Sequence, residues 1–189
     1  DMLIGDWDRH EDQWRWAEFK ENGRKVYRPV PRDRDQAFAI MDDGALLSVV
    51  TAILPAAKGL KSYEAELKKP KWFNMSPYPL DMALINESSK SIWDTQVDRI
   101  VNNLTDQVID EAFLDFPPEI NQNKINEIKK KLKGRRSNLQ EISDTYYYHI
   151  NKCAVIKGTH KDDWFDVERL NDGQTKVTAY RIKKGVKAD

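Results

Sequence analysis

The sequence has 189 residues, with 31 basic and 31 acidic side chains, 40% hydrophobic residues and one cysteine. This length suits one domain, or one domain with a small appendage. A single cysteine excludes an internal disulfide framework. No apolar run approaches the roughly 20 residues of a membrane-spanning helix, and no segment resembles a signal peptide.

The charges are unevenly distributed, although the net charge is zero. Residues 1–120 carry 15 basic and 22 acidic side chains, whereas residues 121–189 carry 16 and 9. The basic excess is concentrated in residues 124–136, which have helical periodicity. We therefore interpret this run as the solvated face of a helix. No DNA- or RNA-reading motif accompanies it, so nucleic acid is not an expected partner.

The N-terminal part of the chain has the pattern of a β-hairpin. Residues 13–19 (QWRWAEF) and 25–30 (KVYRPV) both alternate in polarity, and Asn22-Gly23 lies between them. Asn-Gly between two alternating runs is a strong hairpin signal. Pro29 and Pro31 are expected to end the second strand or to hold it at a sheet edge.

The middle of the chain is expected to be helical. The apolar run 44–54 ends at Pro55 and predicts a buried helix. Residues 56–90 are expected to be irregular, with room for one short helix within 61–69. From Ser91 the apolar residues recur at spacings of three and four, which predicts an amphipathic helix that breaks near Thr105 and continues to Leu114.

Two further helices and three strands complete the prediction. One helix is expected to begin at Pro117-Pro118 and to stop at Gly134, and the next to be capped by Ser137. In that second helix, Leu139, Ile142 and Tyr146 are expected to face inward. Strands are expected at residues 154–156, 164–170 and 176–182.

These elements define an α+β fold. It consists of an N-terminal β-hairpin, a helical middle and a small C-terminal antiparallel sheet. We expect a domain of residues 1–150 with a small β appendage of residues 151–189.

Five aspartates flank the predicted hairpin. A hairpin brings its two ends together, so these carboxylates should converge and must be neutralised. Either a hard divalent cation, magnesium or manganese, binds them, or arginines neutralise a solvated acidic turn. The aspartates are Asp6, Asp8, Asp12, Asp33 and Asp35, and the candidate arginines are Arg9, Arg32 and Arg34.

Two of these segments resemble motifs of atypical kinases. Residues 3–10 (LIGDWDRH) resemble the catalytic loop, which reads Gly-Asn-x-Asp-Arg-His in the secretory-pathway casein kinase family and Asn-x-Asp-x-His-x-x-Asn in HipA-type kinases. Residues 31–38 (PRDRDQAF) resemble the Asp-x-Asp-x-x-Phe metal-binding segment of CotH spore-coat kinases. In kinase folds a β-hairpin separates these segments, as it is predicted to do here. The rest of the chain resembles a kinase C-terminal lobe in being rich in helices.

The resemblance implies a role for five residues. Asp8 matches the catalytic aspartate that orients the attacking hydroxyl, and His10 would brace the loop. Asp33 matches the metal-binding aspartate, with Asp35 as a second ligand or the true equivalent. Gln13 stands where HipA-type kinases have a metal-binding Asn. The implied cofactors are magnesium or manganese, together with ATP.

The sequence also departs from the kinase pattern. Asp6 replaces the Asn that usually precedes the catalytic aspartate. The matching loop begins at residue 2, so the nucleotide-binding N-terminal lobe has no counterpart in this sequence. We therefore expect this chain to be inactive alone, with ATP used only by a full-length parent.

A second resemblance concerns the C-terminal half. Residues 132–139 and 158–167 resemble segments of large uncharacterised cell-envelope proteins of Bacteroidetes, which often combine such a region with calcineurin-like phosphoesterase or outer-membrane barrel segments. It implies a periplasmic or surface location, with other domains of the same longer chain as partners. The alternative to a kinase-like fragment is a non-catalytic structural or interaction domain, which could be accessory to a phosphoesterase.

Overall fold

The order of elements along the chain confirms the predicted α+β fold. The computed structural model describes residues 1–41 and 61–188. A two-stranded antiparallel hairpin comes first, helices follow, and a three-stranded antiparallel sheet comes last. The chain divides into two compact units, Asp1–Ala154 and Val155–Asp189. The helix expected at residues 44–54 lies outside the described residues.

The hairpin forms where its sequence predicts it. Strands β1 (Trp14–Glu21) and β2 (Arg24–Pro31) pair in register from Trp14 opposite Pro31 to Glu21 opposite Arg24. Asn22 and Gly23 make the turn with φ angles of 50° and 75°. Two successive positive φ values give the type I′ turn that matches the twist of the strands, and Asn-Gly adopts it readily.

The described part of the chain contains six α-helices. The predicted break at Thr105 is confirmed, because the Thr105 side chain caps a new helix by accepting a hydrogen bond from the Val108 N–H at 3.2 Å. A short 3-10 turn, Glu11–Gln13, precedes the hairpin. The helices are α1 (Pro70–Phe73), α2 (Tyr78–Leu84), α3 (Lys90–Asn103), α4 (Asp106–Ala112), α5 (Gln122–Ser137) and α6 (Leu139–Ile150).

Several predicted boundaries are wrong. Helix α5 does not start at Pro117-Pro118 but after Asn121, whose side chain accepts a hydrogen bond from the Asn123 N–H at 2.9 Å. Gly134 does not stop this helix but lies inside it. A Cβ at Gly134 would lie 2.7 Å from the Cβ of Ala65, so this glycine allows a close approach. Residues 61–69 contain no helix, and residues 154–156 form no strand.

The core of the first unit lies around α6. This helix packs against α1, α2, α3 and α5. Its three predicted inward residues are buried, as expected from their spacing. Buried apolar side chains in this unit are Tyr63, Phe73, Val97, Ile109, Ile125, Leu132, Leu139, Ile142, Tyr146 and Ile150.

Arg135 is buried and hydrogen-bonded to distant parts of the chain, so it does not belong to a solvated basic face. Its side chain donates hydrogen bonds to the carbonyl oxygens of Met2 at 2.6 Å and Glu64 at 2.8 Å, and its guanidinium carbon lies 4.8 Å from the centre of the Tyr63 ring. These bonds join helix α5 to the start of the chain and to the segment before α1. The solvated-face interpretation is therefore wrong for Arg135.

Other basic residues of α5 bind acidic side chains. Lys133 lies 2.9 Å from Asp110, and Arg136 lies 2.7 Å from Asp106. Both acids belong to α4, so this part of the basic run attaches two helices to each other. The positive charges also hold the pKa values of the Asp106 and Asp110 carboxyls below their usual range, mainly through hydrogen bonds.

The C-terminal unit is a meander of three strands, β3 (Asp163–Arg169), β4 (Thr175–Lys183) and β5 (Val186–Ala188). The sequence predicts the first two strands and the turn between them, but not β5. Lys184 and Gly185 turn the chain with φ angles of 54° and 77°. Lysine is uncommon in the left-handed region, which explains why the sequence does not signal this second tight turn.

None of the helices within residues 1–41 and 61–188 combines the length and apolar character needed to cross a lipid bilayer.

The close approach at Gly5 gives a stability prediction. Gly5 has a φ of 76°, and a Cβ there would lie 2.6 Å from a ring carbon of buried Tyr63. Gly23 has a similar φ of 75° but open space around it. We expect Gly5→Ala to lower the free energy of unfolding by about 3 kcal/mol, from backbone strain plus overpacking. Gly23→Ala should cost only about 1 kcal/mol. Urea denaturation of both variants measures the difference, and equal losses would contradict the proposed contact with Tyr63.

Candidate functional site

The two acidic segments meet at the base of the hairpin, as the sequence predicts. The N–H of Arg32 donates to the carbonyl oxygen of Gln13 at 2.9 Å, next to the last strand pair, Trp14 with Pro31. This bond extends the pairing beyond the strands. The residues before β1 and those after β2 therefore lie side by side.

Arg9 lies at the centre of this junction, and its side chain is fully buried. Its Nη1 donates to the Gln13 Oε1 at 3.1 Å and to the carbonyl oxygen of Arg32 at 2.6 Å. The carbonyl oxygen of Asp33 lies at 3.5 Å from the same nitrogen. One guanidinium thus bonds to both sides of the hairpin base. The Trp14 ring stacks on it with a centroid distance of 4.5 Å.

Asp6 supplies the buried negative charge beside Arg9. Its carboxylate is fully buried, 3.4 Å from the Arg9 Nε and 3.3 Å from the Arg34 Nη1. Burial raises the pKa of the Asp6 carboxyl, while the two guanidinium groups act in the opposite direction. Of the three arginines proposed from the sequence to neutralise the aspartates, Arg9 and Arg34 do so, whereas Arg32 contributes its backbone.

Aspartates on both sides of the hairpin influence the pKa of Arg9. Burial is the largest effect on the Arg9 pKa and lowers it, and the nearby Arg34 charge lowers it further. The carboxylates of Asp6, Asp33 and Asp8 oppose this shift. The carboxylates that precede and follow the hairpin therefore share one electrostatic environment.

Two side-chain hydrogen bonds hold Asp8 in place. Its Oδ2 accepts a hydrogen bond from the Gln13 Nε2 at 3.2 Å, and its Oδ1 accepts one from the Ser76 hydroxyl at 3.4 Å. The side chain is about 35% exposed, so the carboxylate is hydrogen-bonded at both oxygens and still accessible to solvent. This combination suits a group that receives or orients a proton.

The other predicted residues surround Asp8 less closely. The His10 Nε2 lies 3.9 Å from the Asp8 Oδ1, and its Nδ1 lies 4.0 Å from Asp12. Gln13 is buried and bonds to both Arg9 and Asp8, so its amide links a cation to an anion. Asp33 and Asp35 are exposed.

Asp33 has an unusual backbone conformation. Its φ is 49°, in the left-handed region. Aspartate tolerates this region better than most residues, but a non-glycine residue there is uncommon and is enriched at functional sites. The bond between Arg32 and Gln13 and the position of Arg9 near the Asp33 carbonyl oxygen hold the segment in this shape.

Sequence reasoning did not identify Ser76 or a half-buried carboxylate, that of Asp81. Ser76 is 68 residues from Asp8 in the sequence, and only the fold brings them together. The Tyr146 hydroxyl donates to the Asp81 Oδ2 at 2.6 Å, and burial raises the pKa of the Asp81 carboxyl. No local pattern around either residue signals these contacts.

Within residues 1–41 and 61–188, no group of three or more His, Cys, Asp or Glu side chains is placed to hold a metal ion. Comparison of the chain with protein-family models, with curated protein sequences and with solved structures finds no match. The site must therefore be judged on its own geometry.

The buried position of Arg9 gives a second stability prediction. Arg9→Met keeps much of the side-chain volume but leaves Asp6 buried with only Arg34 as a partner. Removing one member of a buried ion pair commonly costs about 3–5 kcal/mol, and we expect a loss in this range. Arg32→Met, at an exposed position in the same segment, should cost less than about 0.5 kcal/mol. Chemical denaturation monitored by tryptophan fluorescence tests both, and a small loss for Arg9→Met would contradict the central role of its guanidinium.

Proposed function

We propose that the first unit is part of an atypical kinase-like phosphotransferase domain, with a magnesium or manganese site at the base of the hairpin. One observation carries the proposal: the buried guanidinium of Arg9 bonds to Gln13, whose amide holds Asp8, and lies 3.5 Å from the carbonyl oxygen of Asp33 on the other side of the hairpin. The kinase resemblance requires that a catalytic and a metal-binding aspartate be brought together by a hairpin. The hairpin register, which brings the segments before β1 and after β2 side by side, supports that requirement independently of the resemblance.

The donor set fits a metal bound together with a nucleotide. Magnesium in phosphoryl-transfer sites is commonly held by one or two carboxylates plus substrate phosphates and water, not by a cage made only of protein ligands. Asp33 would supply the first carboxylate and Asp35 the second, both from an exposed segment. The absence of a three-carboxylate cluster among the described residues is compatible with such a site.

The surrounding residues have distinct roles in this proposal. Asp8 would accept or orient the proton of an attacking hydroxyl, held by the hydrogen bonds from Gln13 and Ser76. His10, 3.9 Å from Asp8, would brace the loop. Gln13 would orient Asp8 through its Nε2, and it could act as a ligand only after its Oε1 leaves Arg9. The metal, when bound, would neutralise charge on the transferred phosphoryl group.

The proposed partners and location follow from the resemblance and from the charges. ATP would bind in a full-length parent, and other domains of the same longer chain would complete the cleft. We do not propose nucleic acid as a partner, because Lys133 and Arg136 are paired with acidic residues of α4. The cell envelope is the proposed location.

The second candidate is a non-catalytic structural or interaction domain, in which Arg9 replaces the metal as the permanent cation. The full burial of Arg9 between Asp6 and Gln13 favours this interpretation. An accessory role beside a phosphoesterase would belong to this candidate. Here the acidic segments would serve only to close the base of the hairpin.

Titration with manganese and magnesium, with and without ATP, separates the two candidates. The first predicts that the ions raise the melting temperature, because a ligand that binds only the folded state stabilises it. Asp33→Asn should abolish the shift while leaving the melting temperature without metal nearly unchanged, since Asp33 is exposed. Thermal scanning fluorimetry across an ion series provides the measurement.

Asp12→Asn is the matched control, because Asp12 is a neighbouring exposed carboxylate outside the proposed ligand set. It should retain the full metal-dependent shift. If Asp33→Asn binds manganese as tightly as the parent, the metal-site assignment is wrong and the structural-domain candidate is preferred. Retention of activity by a full-length parent carrying Asp8→Ala would exclude Asp8 from catalysis.

A further inference from the structure

Strand β3 of the C-terminal unit is an edge with exposed apolar side chains. The strand order is β3-β4-β5, so one side of β3 is not paired within this sheet. Trp164 is 50% exposed, Phe165 39% and Val167 68%. An edge strand offers backbone donors and acceptors to another strand, and exposed apolar residues on it favour such pairing. A unit of this small size also gains little stability from its own core.

Two hydrogen bonds identify the residues of β3 whose backbone groups point outward. The Leu170 N–H donates to the Gln174 carbonyl oxygen at 2.8 Å, and the Ile182 N–H donates to the Asp162 carbonyl oxygen at 2.8 Å. The even-numbered residues 162 and 170 therefore direct their backbone groups toward β4. Because this direction alternates along an antiparallel strand, the odd-numbered residues direct theirs to the open edge. They are Asp163, Phe165, Val167 and Arg169.

We propose that β3 pairs antiparallel with β3 of a second copy of this chain, about a two-fold axis at Asp166. The backbone requires odd-numbered residues to lie opposite odd-numbered residues, and this register satisfies that requirement. Asp163, whose carboxylate also accepts hydrogen bonds from the Thr159 N–H and hydroxyl, then faces Arg169 of the second copy, and Phe165 faces Val167. Since the interface is symmetric, each pair occurs twice.

Charge complementarity selects this register over its neighbours. A two-fold axis at Val167 would place Phe165 opposite Arg169 and Asp166 opposite Glu168, so it would form no attractive charge pair. An axis at Phe165 would place Asp163 opposite Val167 and form no attractive charge pair at the strand ends. Opposite charges directly across a strand pair stabilise it, and like charges weaken it. The axis at Asp166 gives two attractive pairs, of Asp163 with Arg169, and one like-charge pair, of Asp166 with its counterpart.

The central pair of Asp166 residues already has counterions. The Lys187 Nζ lies 2.7 Å from the Asp166 carboxylate within the same unit, and the hydrogen bond from Lys187 is the main reason why the pKa of this carboxyl is lowered. The Trp164 indole N–H also donates to this carboxylate. Each Asp166 therefore brings its own positive charge to the two-fold axis.

The proposed pairing also extends the apolar face of the sheet. Phe165 lies opposite Ala179 of β4, and Val167 lies opposite Val177. Side chains directly opposite each other lie on the same face. Joining two β3 strands would place the Phe165 and Val167 side chains of both copies in one continuous apolar strip, half of it on each copy.

Sedimentation velocity of the whole chain over a wide concentration range tests the proposal. We expect a reversible dimer, weakened about tenfold or more by Asp163→Arg and by Arg169→Asp, because each variant converts two attractive pairs into repulsive ones. An equimolar mixture of the two variants should regain dimerisation. In the mixed dimer, the arginine introduced at position 163 of one chain faces the aspartate introduced at position 169 of the other. The unchanged Arg169 of the first chain faces the unchanged Asp163 of the second.

Lys184→Asp is the control, because it changes the charge of the same sheet as much as Arg169→Asp does but lies in the β4–β5 turn. It should dimerise like the parent. A parent chain that stays monomeric at all concentrations would overturn the proposal. So would single variants that associate as tightly as the parent, or a mixture that fails to regain the dimer. Restoration in the mixture also shows that both variants are folded.

Discussion

The fold of the first unit depends on a guanidinium, that of Arg9, which is kept out of water between two parts of the chain. A buried cation is costly unless it is paired and hydrogen-bonded. Arg9 meets this requirement through the ion pair of its Nε with Asp6 and the hydrogen bonds of its Nη1 to the Gln13 side chain and the carbonyl oxygen of Arg32, although its Nη2 has no hydrogen-bond partner among the described residues. These partners come from before and after the hairpin, so the hairpin base must close for Arg9 to be satisfied. Convergence of the acidic segments follows from the same requirement.

A second buried arginine, Arg135, also bonds to two separate parts of the chain, and it attaches them to a helix. Arg135 uses the carbonyl oxygens of Met2 and Glu64 to fix α5 against the chain start. On the same helical side, the hydroxyl of Ser76, just before α2, donates a hydrogen bond to Asp8. The N-terminal loop is therefore held from the hairpin side by Arg9 and from the helical side by Arg135. A loop held at both ends keeps a carboxylate in place while leaving part of it open to solvent, which is what proton transfer or metal binding needs.

The elements that the sequence predicts well are those encoded by short-range patterns. The Asn22-Gly23 turn, the helix break at Thr105 and the inward side of α6 depend on neighbours within a few residues. The errors have long-range causes. Gly134 resembles a helix stop, but it lies inside α5 at a position where Ala65 packs so closely that there is no room for a Cβ atom. Arg135 resembles part of a solvated face, but its side chain binds carbonyl oxygens of residues far away in sequence. The same holds at the site, where the meeting of the segments that carry Asp8 and Asp33 was predictable from the hairpin, whereas the contact of Ser76 with Asp8 was not.

The most direct test of the metal site is paramagnetic broadening of the amide NMR signals of the whole chain by manganese. Substoichiometric manganese should selectively broaden the signals around Asp8 and Asp33 and that of Ser76, while those of Asn22 and Gly23, at the other end of the hairpin, keep their intensity. This result would place a cation where the two acidic segments meet. Broadening centred on the exposed carboxylates of α4, or spread evenly over all acidic residues, would contradict the account and leave Arg9 and Arg34 as the cations that neutralise the hairpin base.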